Sequence, residues 1–572
     1  MKKLIKYIPI VLIFAGLFAC EMLEPIDENR ITTEYVGSDP ESAEGILLQG
    51  YTGLINQYTF SEGGTDDAVN NQLSNGYKRM ATGELTAQYN PSSRWNKYER
   101  VFYLNKFIEI VDAGTVQWHR DEETKQLFAE RLKGEAIALR GLYHFYVLQA
   151  HAGVGSAGNL LGIPYYKEFI PSNGDFNVPR LSFEASIDAI MADFDEALGM
   201  LPMDYSDNEA DVPARHASME FGKYKTVNGI QYNLRISGRI VKALKARVAL
   251  YAASPSFLNG AGYYEQAANV SAELLNAIGG ISGMAADGVV FYNEDGDTNN
   301  DELLWRGSLG NNSSSRELDH FPPSRNGWGE INPSHNLVSA FPMASGFPAT
   351  IDNGYDPQNP YENRDPRLKK YIVVNGESFG GGEIVTGVGG GIDRLDSIPE
   401  QSTTTGYYMK KLLRPDVRIN DDGSKVEKKH FNVYFRYTEL FLILAEAANE
   451  IGGPTHQVNG ISAMDVIAAI RERAGITQPD EYLATVTSKE QMRELIRNER
   501  RLELCFEGHR FWDVRRWGLN LNEPVKGYFH NGTNYVEIPS VETRNYPANA
   551  KYLPIPYNEV LKFSELEQNQ GW

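Results

Sequence analysis

Two blocks of helix-period sequence flank a long stretch without any such period, and that contrast decides what this chain can build. In the segment 131–152, Leu132, Ala136, Leu139, Tyr143, Tyr146 and Ala150 recur at steps of three and four, which sets them along one face of a helix. Gly153 and Gly155 then stop it. Ser182 offers an N-cap oxygen to a second helix, where Phe183, Ile187, Ile190, Phe194, Ala197 and Leu201 repeat the spacing as far as Pro202. Ile240, Ala243, Leu244, Val248 and Tyr251 predict a third, ending near Pro255. The C-terminal block predicts helices over 437–451, 463–474 and 489–517. Helices paired by turns suggest a helical-repeat scaffold, although no repeat of about 34 residues is clean. Between the blocks, residues 290–435 are rich in Gly, Asn, Pro, Asp and aromatics. Irregular segments of this length are either functional or disordered, and the aromatic content argues for order. The fold class expected is mostly α, a helical-repeat scaffold carrying a large loop-rich ligand lobe, since loops on rigid scaffolds are where binding residues gather.

The N-terminus carries an address. Lys2, Lys3 and Lys6 precede an uncharged run, Tyr7 to Ala19, that ends at Cys20. The run is too short to span a bilayer, which takes roughly 20 residues, and reads as a signal peptide. A Cys at the cut resembles a bacterial lipoprotein signal, in which Cys20 receives diacylglycerol and a further fatty acid such as palmitate. The alternative is an ordinary secretory signal with an incidental Cys20. Each buried CH₂ of an acyl chain contributes ~0.8 kcal/mol, so two or three chains anchor far better than one. The organisation expected is a signal peptide over 1–19, a lipidated tether over 20–45, an N-terminal helical domain over 46–270, and a C-terminal domain over 271–572 that includes the 290–435 insertion. The formal net charge is −20, and loss of Lys2, Lys3 and Lys6 takes it to −23. Such a surface repels phosphate backbones and argues against nucleic acid as a partner. With Cys20 acylated, Cys505 has no partner for a disulfide, and a buried small apolar role is expected of it.

Several ordered motifs then match one family. They are Trp95-Asn-Lys-Tyr98 with Asn105, the run Glu135-Ala-Ile-Ala-Leu-Arg-Gly-Leu-Tyr-His-Phe-Tyr146, Asn363-Arg-Asp-Pro-Arg-Leu368 and Arg471-Glu-Arg-Ala-Gly475. The run from Glu499 to Gly518, Leu553-Pro-Ile-Pro556 and the closing Gln568-Asn-Gln-Gly-Trp572 complete the set. Together they resemble the SusD/RagB family of Bacteroidota outer-membrane lipoproteins. The resemblance implies a tetratricopeptide-like scaffold and a lipid anchor on the outer face of the outer membrane. It also implies a SusC-like TonB-dependent transporter as partner, and capture of a nutrient oligosaccharide, or in some members a peptide, without catalysis or cofactor.

The chemistry-bearing residues weigh as follows. Glu499, Arg500, Arg501, Glu503, Glu507, Arg510, Asp513, Arg515 and Arg516 place opposite charges three or four apart, which reads as a structural ion-pair network. His509 lies two residues from Glu507, and no His-Glu-x-x-His is present. His144 and His151 sit two turns apart, on the order of 10 Å, too far for one metal, and read as packing or capping residues. Asp295, Asp297, Asn299 and Asp301 resemble the start of a calcium loop, but Gly is absent at the sixth place and Arg306 stands at the twelfth, so an exposed acidic turn is the better reading. The Gly runs 380–382 and 387–391 fit no phosphate cradle and read as a hairpin or loop.

A sugar site needs an aromatic platform and a rim of amide, carboxylate or guanidinium groups. The candidates are Asp66 and Asp67 with Asn70 and Asn71, the run Arg94, Trp95 and Asn96, then Tyr292, and Arg325, Asn326 and Trp328. In the family, ligand residues come from the loops around the Trp95-type position and from the mid-chain insertion. Trp95 also reads as a core residue of its helix, whereas Trp328, among Asn, Gly and Pro, is less easily one. Two rivals stand beside glycan capture: a peptide receptor, expected to show pairing edges and a charged site, and a glycosidase, expected to show two facing carboxyl groups ~5–9.5 Å apart.

Overall fold

The computed structural model describes residues 37–289 and 300–572. Cys20, Tyr292, Asp295, Asp297 and Asn299 lie outside the described residues, and with them the lipidation site and most of the acidic turn.

The scaffold is mostly α and tetratricopeptide-like. Its principal helices are α1 (Pro40–Thr52), α2 (Tyr98–Asp112), α3 (Glu122–His151), α4 (Phe183–Leu198), α5 (Gly238–Ala253), α6 (Ala261–Ala277), α7 (Tyr437–Gly452), α8 (Ala463–Ala474), α9 (Lys489–Glu503) and α10 (Arg510–Arg516). Each from α1 to α8 packs on the next, and α9 packs on α7. This neighbour-on-neighbour stacking is how repeat scaffolds grow a core. The periodic residues meet there: Leu104, Leu139, Ile187, Phe194, Leu244, Val248, Phe441 and Leu444 are all buried. The domain boundary expected at 270–271 falls inside α6, which packs on both α5 and α7.

The local signals behave as their chemistry requires. Ser182 accepts the amide of Ala185 at 3.1 Å and starts α4, a cap typically contributing ~1 kcal/mol. Ser462 and Ser488 close capping boxes with Asp465 and Gln491. One expectation fails. The helix predicted over 489–517 is two helices, because Phe506 and Gly508 adopt φ of 63° and 78° in the turn between α9 and α10. At Gly508 a β-carbon would collide with the Thr59 hydroxyl, so the turn needs glycine both for its backbone and for the contact.

Among the described residues of the 290–435 stretch, helices are short and strands pair only in two-stranded ribbons. The strands used below are β1 (Ala68–Asn70), β2 (Leu303–Arg306), β3 (Ile331–Pro333), β4 (Glu377–Phe379), β5 (Gly382–Ile384), β6 (Val433–Arg436), β7 (Val525–His530) and β8 (Tyr535–Glu542). β2 pairs with β6, and β7 with β8, both antiparallel. Gly380 and Gly381 form the turn of the β4–β5 hairpin. The lobe has its own apolar core, including Phe321, Phe341, Phe379, Tyr407, Tyr408 and Leu412, into which the α9–α10 turn inserts Cys505 and Phe506. Burial pushes the Cys505 thiol up to about 12, the small apolar role expected of it. No helix among the described residues is long and apolar enough to cross a membrane.

Candidate functional site

Among its described residues, the lobe presents one large aromatic to water on a rigid frame. Trp328 is 45% exposed. Its amide donates to the Leu318 carbonyl at 2.7 Å, and its own carbonyl accepts the Asn71 side-chain amide at 3.1 Å. The same Asn71 amide reaches the Gly329 carbonyl at 2.8 Å. Gly329 has φ of +50°, and a β-carbon there would collide with the Gln401 carbonyl, so the chain can make this corner only with glycine. Backbone bonds on both sides therefore fix where the indole stands, while its ring stays in solvent.

The N-terminal half of the chain supplies the other wall. β1 pairs antiparallel with β3, Asn70 opposite Ile331, and the Asn71 amide continues the ladder to the Glu330 carbonyl at 2.8 Å. This pairing brings the Asn70 and Asn71 segment to Trp328, two segments more than 250 residues apart in the chain. Beyond it, Leu73 is 67% exposed and its amide meets the Glu400 carboxylate at 3.3 Å. Asp319 and Glu330, half-buried beside Trp328, both have their carboxyls pushed up, first by burial; Glu317 adds to the first and Asp319 to the second. Carboxyl oxygens placed here can accept hydrogen bonds from hydroxyls.

Just ahead of Trp328 in the chain, Arg325 and Asn326 line a groove of about 510 Å³ with the Gly380–Gly381 turn and the chain from Val417 to Asp422. Arg325 is anchored through Nε to the Phe379 carbonyl at 3.0 Å and through Nη1 to Ser324. Asn326 is exposed, takes φ of 58°, and donates to the Ile419 carbonyl and the Asp421 carboxylate, each at 2.9 Å. Polar groups held this way need no reordering when a ligand arrives.

The remaining predicted residues stand elsewhere. Asp66 is half-buried and Asp67 buried: Asp66 receives Arg510 at 2.8 Å and Arg501 at 2.9 Å, and Asp67 receives Arg501 at 2.6 Å. Burial raises the Asp66 carboxyl, but the guanidiniums of Arg501 and Arg510 outweigh it and hold the group well below the carboxylate range. Trp95 is half-buried, edge-on to Tyr98 at 5.0 Å and His151 at 5.4 Å. Asn96 is exposed beside it. The Arg94 guanidinium turns inward, over Trp512 at 4.2 Å and bonded to Gln149. The partners of Arg94 and Trp95 named here are on α2, α3 and α10, not on the lobe. Tyr292 lies outside the described residues.

The histidines pack, as their spacing suggests. His144 Nδ1 meets the Arg140 carbonyl at 2.9 Å and its Nε2 meets the Tyr166 amide at 3.1 Å. His151 bridges the Pro554 carbonyl and the Arg94 amide in the same way. Burial pushes them down to about 4 and about 3, so both are neutral. The charged run 499–518 is an ion-pair network, but most of its bonds leave the run. Arg516 pairs with Glu446 on α7 at 2.6 Å, Glu507 receives Arg436 and Lys411, and Glu499 and Glu503 receive Arg367, Arg471 and Arg473. Sequence reasoning missed Asp319 and Glu330: Glu330 follows Trp328 by two residues and its amide donates to the Asp319 carbonyl at 2.9 Å, beside the bond from the Trp328 amide to Leu318, a backbone pairing that no local motif announces.

Comparison with known proteins agrees with this architecture. The model of the SusD family matches residues 288–572, and a model described as starch-binding associating with outer membrane matches residues 38–221. SusD-like protein P25 of Formosa agariphila is 28% identical over 237 residues, 37% of this chain and 41% of that protein. SusD-like protein P38 of the same organism is 29% identical over 136 residues, 22% of this chain and 24% of that one. The chain therefore matches less than half the length of these relatives. A SusD-like protein of Bacteroides fragilis superposes with TM-score 0.73 at 22% identity, covering 96% of this chain and 100% of that one. A SusD-like carbohydrate binding protein of the same species gives 0.68 at 20% identity, with 92% and 99% covered.

Proposed function

The chain belongs to the SusD/RagB family, and we propose that it is a lipid-anchored receptor of the outer-membrane surface. In this reading it captures a nutrient oligosaccharide and hands it, uncut, to a SusC-like TonB-dependent transporter. Cys20 carries the anchor and the body stands in water. The single observation that carries glycan capture is Trp328: an indole 45% exposed, with its backbone hydrogen-bonded on both sides. A sugar ring offers apolar C–H faces to such a platform and hydroxyls to the rim, here Asn326, Arg325, Asp319 and Glu330. The starch-binding family that matches residues 38–221 and the carbohydrate-binding neighbour of Bacteroides fragilis support the same class of ligand. An aromatic stack contributes ~1 kcal/mol beyond the area it buries, so affinity at a single site is modest and a chain of several sugars is favoured over one.

The test uses the mature chain from residue 21 in native gels containing starch, other glucans, mannans, xylans or acidic polysaccharides, with chromatography of the same mixtures for shortened products. Retardation by at least one glycan, with no product formed, is expected. Release of shorter chains would replace the reading with a glycosidase. Retardation by none, together with binding of peptides, would replace it with a peptide receptor.

A further inference from the structure

A cavity of about 110 Å³ lies where α3, α5 and α7 meet the α9–α10 turn. It has room for several water-sized groups. Its carboxylates are already spent. Both oxygens of Glu439 receive Arg247, at 2.8 and 2.6 Å. Glu507 receives Lys411 at 2.6 Å and Arg436 at 2.8 Å, and Asp513 receives Arg500 at 2.8 Å and Arg516 at 2.7 Å.

The donors are in surplus. Arg94 lines the cavity and meets no carboxylate among the described residues: Nη1 donates to Gln149, the plane stacks on Trp512, and Nε and Nη2 have no partner there. Arg247 and Trp512 line the same space, and among the described residues neither Arg247 Nη1 nor the Trp512 indole N–H meets an acceptor. Burial pushes Arg94 down to about 10, and the like charge of Arg247 adds to this. A guanidinium without a counter-ion in such a place is costly, and water can hydrogen-bond it but cannot neutralise it.

We propose that this cavity binds a small inorganic oxyanion of the sulfate or phosphate class, held by Arg94 and Arg247 with the Trp512 N–H as a third donor. A tetrahedral oxyanion fits the volume and accepts from several directions at once. The ion ties Arg94, just ahead of α2, to α5 and α10, and so joins the first helices of the scaffold to the last. With a net charge of −20 overall, the protein does not gather anions generally, so the binding is local to this pair of arginines.

Crystals of the mature chain grown with selenate, a tetrahedral analogue with an anomalous signal, test the site directly. A selenium peak between Arg94 and Arg247 is expected. Density for water alone, with no anomalous peak, would overturn the proposal. In solution, calorimetric titration of sulfate at constant ionic strength should give saturable binding that Arg94→Met weakens at least tenfold and Arg94→Lys partly restores. Sulfate also stabilises proteins by exclusion from their surface. A sulfate response of equal size in Arg94→Met would therefore count against a site. Should Arg94→Met fail to fold, the selenate peak in the unaltered chain decides alone.

Discussion

Individual buried carboxyls pull the stability of this protein in opposite directions with pH. Glu62 is fully buried, one oxygen accepts the Gly508 amide at 2.7 Å, and the other has no partner among the described residues. Burial, then the nearby Asp67 and Glu507, pushes it up to about 7 from 4.5. A carboxyl raised on folding binds its proton more tightly in the folded state. Its contribution is therefore fully present below pH 4.5 and is lost as pH rises through 7. Glu62→Gln keeps the acceptor and removes the charge. It should match the parent near pH 4 and exceed it by about 3 kcal/mol at pH 8.5, the value of a shift this size. Urea unfolding at the two pH values measures this, and an equal difference at both would contradict it. Glu503, Glu507 and Asp513 have the reverse sign. Burial alone would raise them, but the arginines and lysine around them hold all three near 2. Their stabilisation is present above about pH 4.5 and is lost as pH falls toward 2.

At the scale of elements, the hydrophobic period was readable and the long-range pairing was not. Ser182, the apolar face of α4 and the bounds of α8 follow from local spacing and caps, and they stand where that spacing puts them. The break between α9 and α10 was hidden because Phe506 takes a left-handed conformation that its residue type does not announce. Charge spacing in 499–518 rightly indicated ion pairs but not their partners, since Glu446, Arg436 and Lys411 come from other elements. Arg516 shows what the network does. It pairs with Glu446 at 2.6 Å and Asp513 at 2.7 Å, all three nearly out of water. Arg516→Met leaves Glu446 charged and buried and should cost about 3–5 kcal/mol. Adding Glu446→Leu removes the orphan, so the double variant should be more stable than Arg516→Met alone. Denaturant midpoints decide, and a double variant less stable than either single one would contradict the ion-pair account.

For the molecule as a whole, the scaffold was legible because helices report themselves locally, whereas the site was legible only in part. Trp328, Arg325 and Asn326 stood out by keeping aromatic and polar groups among turn residues; Trp328 is exposed, and Arg325 and Asn326 line one groove. Asp66 and Asp67 looked equally free, yet the fold commits them to Arg501 and Arg510, more than 430 residues away. The closing motif also acts at this scale: Gln568 brackets Ile555 with two bonds of 2.8 Å, and Asn569 reaches the His151 carbonyl at 3.0 Å, tying the C-terminus to the end of α3. The anchor makes a whole-molecule prediction as well. Cys20→Ala expressed from the full chain should move the protein from the membrane fraction to the soluble one, and an unchanged distribution would exclude lipidation at that residue. The central claim, that a rigidly mounted indole captures glycan, is tested most directly by calorimetric titration of the unaltered chain and of Trp328→Ala with the glycan that retards it. At least a fivefold loss of affinity is expected on an unchanged thermal midpoint, about 1 kcal/mol per lost stack; equal affinities would contradict capture by the indole.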